Sequence, residues 1–316
     1  VPGMQQHSEP FFEAASAVSV GKRTYQEDAV LFDCPLGSDT GLVVLSDGMG
    51  GHAAGDVASK IVLTEVFSEL KLQSGASEAQ ETGYHGVLTR AARGANDCIR
   101  AYIEDRPESL GMGATLVAGV LQGDALHWIS IGDSPLYLFR GGVLQRLNEE
   151  HSFGHTMDSM VASGLMESED AAQHPDRNCL TSVVGGGGIA EIDCPEEPFR
   201  LLNGDLLVFA SDGIEYLSNE RIRTVLADWS TMSSGQIAAQ LLREIEKLDD
   251  PDQDNVSIVV VKIQLVETPA IRGNRPHVAP RPVVPARPTS IFALKTVDTG
   301  KARAHKGRRQ LKCDTP

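Results

Sequence analysis

The stretch Leu42-Val-Val-Leu-Ser-Asp47 decides the reading: a short apolar run that stops on a serine and an aspartate, with Gly48 next. Two other runs end alike, Leu126-His-Trp-Ile-Ser-Ile-Gly-Asp133 and Leu206-Leu-Val-Phe-Ala-Ser-Asp212. Their length and β-branched content mark them as strands. Glycine or serine after each aspartate turns the chain and leaves its backbone accessible. Two acidic clusters precede strands instead: Glu27-Asp28 before Ala29–Phe32, and Asp254-Asn255 before Ser257–Ile263. If Ala29–Phe32 and Leu42–Leu45 pair antiparallel, Asp28 and Asp47 share one sheet edge, and the same reasoning brings Asp254 beside Asp212. Five or six carboxylates then converge, and they repel one another unless protonated or neutralised by cations. Oxygen donors around water-filled positions suit magnesium or manganese. Two such ions activate a water and stabilise in-line attack on phosphorus. One Asp-Gly pair alone is ordinary turn chemistry; several at the ends of buried-looking strands favour a site.

Outward from these runs, Thr115–Leu121 and Leu136–Phe139 also read as strands. Helical spacing covers three longer segments. Asp56–Leu70 puts Val57, Ile61, Leu63, Val66, Phe67 and Leu70 on one stripe, Gly83–Ile103 behaves similarly, and Ser234–Leu248 has Ser234 as its N-cap. Strands joined by tight turns, then helices, then more strands imply an α+β fold built on an antiparallel β-sandwich.

The bulk numbers bound the function. A chain of 316 residues, 41% hydrophobic and 22% charged, is globular and able to bury a large core. No apolar run is long enough to cross a bilayer, and Val1–Glu13 lacks a secretory signal, so a cytoplasmic location is expected. The five cysteines are dispersed without a C-x-x-C pair, which argues against a disulfide framework and a zinc site. Any bound metal then rests on carboxylates. The net charge of −15 is uneven: residues 268–316 hold 11 Lys+Arg against Asp298 and Asp314, net +9, leaving −24 for residues 1–267. Six prolines between Pro269 and Pro288 space the arginines of this tail, so it is expected to be extended and disordered. The expected layout is an N-terminal extension 1–14, a domain 15–266 and a basic tail 267–316.

Ordered motifs then add a resemblance. They are Gly21-Lys-Arg-Thr-Tyr-Gln-Glu-Asp28, Asp47-Gly-Met-Gly-Gly-His-Ala-Ala-Gly55, Gly111-Met-Gly-Ala-Thr-Leu116, Ile131-Gly-Asp-Ser134, Leu180-Thr-Ser-Val-Val-Gly185, Ala210-Ser-Asp-Gly213 and Asp252-Gln-Asp-Asn-Val-Ser257. From about Ala17 to Lys262 the chain resembles the protein phosphatase 2C family of metal-dependent serine/threonine phosphatases in its bacterial form. The resemblance implies a four-layer α-β-β-α fold and two Mn2+ or Mg2+ ions. It implies that Asp47 bridges both metals, that the Gly48 carbonyl joins the second, and that Asp212 and Asp254 hold the first. Glu27 and Asp28 resemble residues that hold the second metal partly through its waters, and Asp133 with Asp212 matches a third, weaker site. Arg23 matches the phosphate-binding arginine, whose forked guanidinium suits a tetrahedral dianion. Asn255 is expected to orient Asp254 or its turn.

The implied mechanism is direct attack of metal-bound hydroxide on phosphorus. The leaving-group acid is open between His52 and a metal-bound water, and His151 is expected to be structural. Two departures stand out: the family's Gly-Asp-Ser-Arg is Gly132-Asp-Ser-Pro135, which loses a cation near the third site, and its Asp-His-Ser is Glu150-His151-Ser152. Residues 153–177 match a flap beside the active site, with helical pieces Met157–Ser163 and Glu169–His174.

The main expectation is a phosphatase acting on phosphorylated Ser/Thr proteins against a bacterial Ser/Thr kinase. A pseudophosphatase that only binds phosphoproteins is the non-enzymatic alternative, opposed by the presence of every principal carboxylate. The +9 tail is either a solvated end or a contact for acidic surfaces such as nucleic acid, anionic membrane or the acidic domain.

Overall fold

The computed structural model describes residues 11–35, 38–50, 53–73 and 78–265. Residues 266–316, and with them the basic tail, lie outside the described residues, as do Gly51 and His52. The described chain is a four-layer α-β-β-α sandwich in which every strand pair is antiparallel.

All seven apolar runs form strands, and four further strands join them among the described residues. In chain order the strands are β1 (Phe11–Ser19), β2 (Asp28–Asp33), β3 (Thr40–Met49), β4 (Gly113–Ala114), β5 (Leu116–Gln122), β6 (Ala125–Ile131), β7 (Leu136–Arg140), β8 (Val143–Arg146), β9 (Phe199–Arg200), β10 (Leu206–Ala210) and β11 (Val256–Gln264). One sheet has the order β1-β11-β10-β7-β8; the other runs β2-β3-β5-β6-β9, with β4 on β3. The helices are α1 (Ala53–Gln73), α2 (Glu78–Asp105), α3 (Phe153–Ala162), α4 (Ser168–Ala172), α5 (Asn219–Trp229) and α6 (Ser234–Glu246).

Alternation along β3 shows how the layers are built. Leu42 and Val44 pack under α1 and α2, while Val43 and Leu45 enter the core between the sheets. Both faces of β3 are therefore dry, which is why it reads as a continuous apolar run rather than an alternating one. In the other sheet, Leu206, Val208 and Ala210 face α5 and α6, and Leu207 and Phe209 face the inter-sheet core. Gly119 of β5 lets the sheets close: a Cβ there would lie 2.6 Å from Phe209 Cζ.

Three expectations shift. Strand β1 pairs with β11 from Phe11 onward, so the sheet begins inside the stretch expected as an extension. Its run Ala14-Ala-Ser-Ala17 carries little hydrophobic signal, and the pairing partner supplies the order. The N-cap of α6 is Ser233, not Ser234. Ser233 and Gln236 form a reciprocal capping box, whereas Ser234 is buried and donates from N and Oγ to Glu13 Oε1 at 2.7 and 2.9 Å. Helix α2 is broken at Gly83, where φ is 69°.

Candidate active site

The same alternation that fills the core delivers the acids. On β3, Val43 and Leu45 point between the sheets, so Asp47 follows them at the strand's end; on β2, Val30 and Phe32 do likewise, and Asp28 is next. Asp28 and Asp47 stand directly opposite each other in the β2–β3 register. From the other sheet, β10 ends before Asp212 and β11 starts after Asp254, and these neighbouring antiparallel strands put both aspartates at one end. Where the apolar core runs out, a cavity of about 480 Å³ is lined by Arg23, Glu27, Asp47, Gly48, Asp133, Asp212 and Asp254. A second, of about 630 Å³, shares Arg23, Asp133, Asp212 and Asp254 and extends to Glu150, Arg177 and Glu215 beside the flap.

The electrostatics of this end are severe. Asp47 is pushed well above the usual carboxylate range by burial first, then by Asp28, Asp212, Asp133 and Asp254. Burial takes Asp28 to about 6, with the Ser211 hydrogen bond and nearby Ser257 opposing the rise and Asp212 adding to it. Burial and Asp212 take Asp133 to about 7. Asp212 is also raised, by burial and Asp254, with Arg23 opposing. Asp47 lies within hydrogen-bonding reach of both Asp28 and Asp212. The counter-charge is Arg23, whose Nη2 is 2.5 Å from Asp254 Oδ2.

Small hydroxyls and one amide hold the acids in place. Ser211 Oγ donates to Asp28 Oδ2 at 2.8 Å, across the two sheets. Asp47 N–H donates to Thr115 Oγ1 at 3.0 Å, and Thr115 Oγ1 lies 2.7 Å from Ser134 Oγ. Asn255 accepts from Glu27 N–H at 2.7 Å and donates to the carbonyls of Val20 and Tyr25, while its own N–H donates to Asp254 Oδ1. It therefore ties the Arg23–Glu27 loop to Asp254. Gly48 is required by close approach: a Cβ would sit 2.0 Å from the Gly55 carbonyl oxygen in the first turn of α1. His151 is buried, and its Nδ1 accepts from Gly132 N–H at 3.2 Å, a structural bond.

Sequence reasoning did not single out Thr115, Ser211, Ser257 or Tyr216, whose hydroxyl receives the Asp254 N–H at 3.2 Å. The first three sit within the quoted motifs, and Ser211 and Ser257 lie within three residues of an aspartate; that adjacency was the available signal. One expectation is overturned. Pro135 does not leave the Asp133 region without a cation, because Arg146 arrives there from β8 and its Nη2 donates to the Asp133 carbonyl at 2.5 Å. Antiparallel pairing of β7 with β8 folds position 146 back to the strand start at Leu136, and local sequence does not show this.

The protein phosphatase 2C family model matches residues 20–246. The chain belongs to the protein phosphatase 2C family. It is 30% identical over 227 residues to the serine/threonine phosphatase stp of Listeria monocytogenes, covering 72% of this chain and 86% of that protein. The structure matches that of the Mycobacterium tuberculosis serine/threonine phosphatase PstP/Ppp with a TM-score of 0.67 and 29% identity, over 80% of this chain and 99% of the other. It also matches the PstP catalytic domain in complex with two manganese ions, at a TM-score of 0.64 and 28% identity, over 81% and 99% of the two chains.

Protein phosphatase 2C enzymes are metal-dependent hydrolases, and the donor set here fits divalent cations. Every acid at this end offers oxygen, Asp28 Oδ1 is buried without a hydrogen-bond partner, and bound positive charge relieves the mutual repulsion without protonating the acids. Among the described residues, no group of three or more His, Cys, Asp and Glu is gathered closely enough to hold a metal ion as it stands. The acids line the cleft instead, an arrangement suited to hard ions that keep part of their water shell. The segment 153–177, expected as a flap, carries α3 and α4, both starting earlier than their sequence patterns indicate. Arg177 clamps it through paired bonds to Asp158, at 2.8 and 3.0 Å.

Proposed function

We propose that this protein removes phosphate from phosphoserine and phosphothreonine in proteins, opposing a bacterial Ser/Thr kinase. One observation carries the reading: Asp47, raised by burial and by four other carboxylates, lies in one cavity with Arg23, Asp133, Asp212 and Asp254. Asp47, Asp212 and Asp254 would hold one Mn2+ or Mg2+, Asp47 and the Gly48 carbonyl a second, with Glu27 and Asp28 supporting it and Asp133 available to a third. Bound there, such ions supply an activated water and neutralise the phosphate.

The chain's own groups do the rest. Arg23 has five N–H donors and spends one on Asp254, so its fork is available to phosphate oxygens. Asp28, Ser211, Thr115 and Asn255 hold the ligand carboxylates at fixed positions before substrate arrives, which removes reorganisation from the reaction. The cleft beside the flap accepts the peptide around the phosphorylated residue. His52, a candidate leaving-group acid, lies outside the described residues.

The test is manganese-dependent phosphate release from a phosphopeptide by wild type and Asp212→Asn. The variant is expected to lose roughly a hundredfold or more in kcat. Equal rates would sink the enzyme reading and favour a phosphoprotein-binding role.

Phosphoproteins and their kinases also argue for a cytoplasmic enzyme. Among the described residues, the four cysteines are free thiols and no helix is long and apolar enough to cross a membrane. The +9 tail is proposed to engage acidic surfaces. Deleting residues 268–316 tests that idea by salt-sensitive binding to anionic vesicles or DNA, and unchanged binding disposes of it.

A further inference from the structure

The exchange of an arginine for Pro135 and the guanidinium that enters from β8 lead further, on the basis of the phosphatase reading. Three walls of the larger cavity meet at Arg146: the loop carrying Asp133, the turn Asp212–Tyr216, and the Glu149–Ser152 segment that opens the flap. Nη2 donates to the Asp133 carbonyl at 2.5 Å, and Nη1 donates to Glu150 Oε2 at 2.7 Å and Glu215 Oε1 at 3.1 Å. The chain of bonds continues. Ser152 Oγ donates to Glu150 Oε1 at 2.6 Å and accepts from His155 N–H at 3.1 Å, which caps α3.

This geometry distinguishes the arrangement from a surface ion pair. Arg146 and Glu150 are only 20% and 26% exposed, so solvent screens them weakly. The Nε–H of Arg146 is buried without a partner, a cost that an arginine chosen for stability alone would not carry. Glu150 and Glu215 repel one another, each on a different wall, and the shared cation joins them. A fork can serve three acceptors on three walls, whereas a lysine ammonium is a point charge.

We propose that Arg146 is a positioning residue for the phosphatase reaction. From β8 it locks the Asp133 loop to the Glu150–Ser152 segment that starts α3. The metal-side wall and the substrate-side wall of the cleft then hold one register. Without it, Glu150 swings from Glu215, Ser152 loses its acceptor, and α3 loses its fixed start.

Two readouts on Arg146→Gln and Arg146→Lys test this in the full chain. The first is backbone hydrogen exchange in metal-stripped protein. Amides of His155 and the rest of α3 are expected to exchange roughly tenfold faster in the glutamine variant, with β3 and β10 unchanged. This measurement needs no activity, so it stands or falls apart from the phosphatase reading. The second is phosphopeptide turnover with manganese. The expected loss in kcat is roughly ten- to a hundredfold for glutamine and smaller for lysine, with KM for the small substrate p-nitrophenyl phosphate little changed. Unchanged α3 exchange would overturn the proposal. So would faster exchange in every element with kcat per folded enzyme intact, since that is the pattern of a plain stability role. If the glutamine variant fails to fold, the lysine variant carries both readouts.

Discussion

Asp28 and Asp133 show what the site costs as individual residues. Burial holds them near 6 and 7 in the folded chain against 3.8 for a freely solvated aspartate. A folded-state value above the unfolded one means that the native state binds more protons between about pH 4 and pH 7. Stability of the metal-free protein therefore falls as pH rises through that window, by on the order of 3 kcal/mol per group. Glu244 works in the opposite sense: bonds from Lys247 and Arg221 hold it down to about 2, so its contribution fades only below the ordinary glutamate range. Chelated protein is thus expected to melt higher at pH 5.5 than at pH 7.5, and manganese at pH 7.5 is expected to recover the difference. A Tm that rises with pH in the chelated protein would contradict the account. The acids themselves were legible, since an aspartate that ends an apolar strand is conspicuous. Their hydroxyl partners were not, because a serine beside an aspartate reads equally well as turn chemistry.

Elements were legible to the extent that their partners were uniform. Helices cover both sheets, so β3, β5, β10 and β11 appear as apolar runs. Strand β1 is an edge strand of small residues, and its order comes from β11. Helix α5 was not among the expected helices, although Ile222, Val225 and Leu226 are buried at helical spacing. The N-terminus of α6 shows the limit of local reading, since two serines in succession compete for one cap. Because Ser233 makes the capping box, Ser233→Ala is expected to cost about 1 kcal/mol in urea unfolding, with phosphatase activity intact. Ser234→Ala instead removes a donor to Glu13 and is expected to loosen the β1 edge. If the two variants cost the same and both spare β1 from exchange, the assignment of roles fails.

For the whole molecule, the contact that matters is between the sheets. Asp28 belongs to one sheet, and its hydrogen-bond partner Ser211 to the other. The spacing of the sheets thus sets the spacing of the acids, and Gly119 against Phe209 helps to set it. Gly119→Ala forces the Phe209 ring aside in a packed core and is expected to cost about 1–3 kcal/mol. Since the sheets separate with it, manganese is expected to stabilise the variant less than wild type, as a smaller Tm shift at equal metal. An equal shift would show that the site is independent of core closure.

By itself the sequence determined seven of the strands and the aspartates that end or precede five of them, because apolar runs and turn chemistry act over a few residues. The ordered motifs added the family. Only the tertiary structure decided that Ser211 at the end of one sheet bonds Asp28 of the other, that Ser234 is drawn to Glu13 and leaves the cap of α6 to Ser233, and that Arg146 reaches the Asp133 loop. Each of these depends on residues far apart in the chain, and sheet stacking and strand register, not local composition, bring them together.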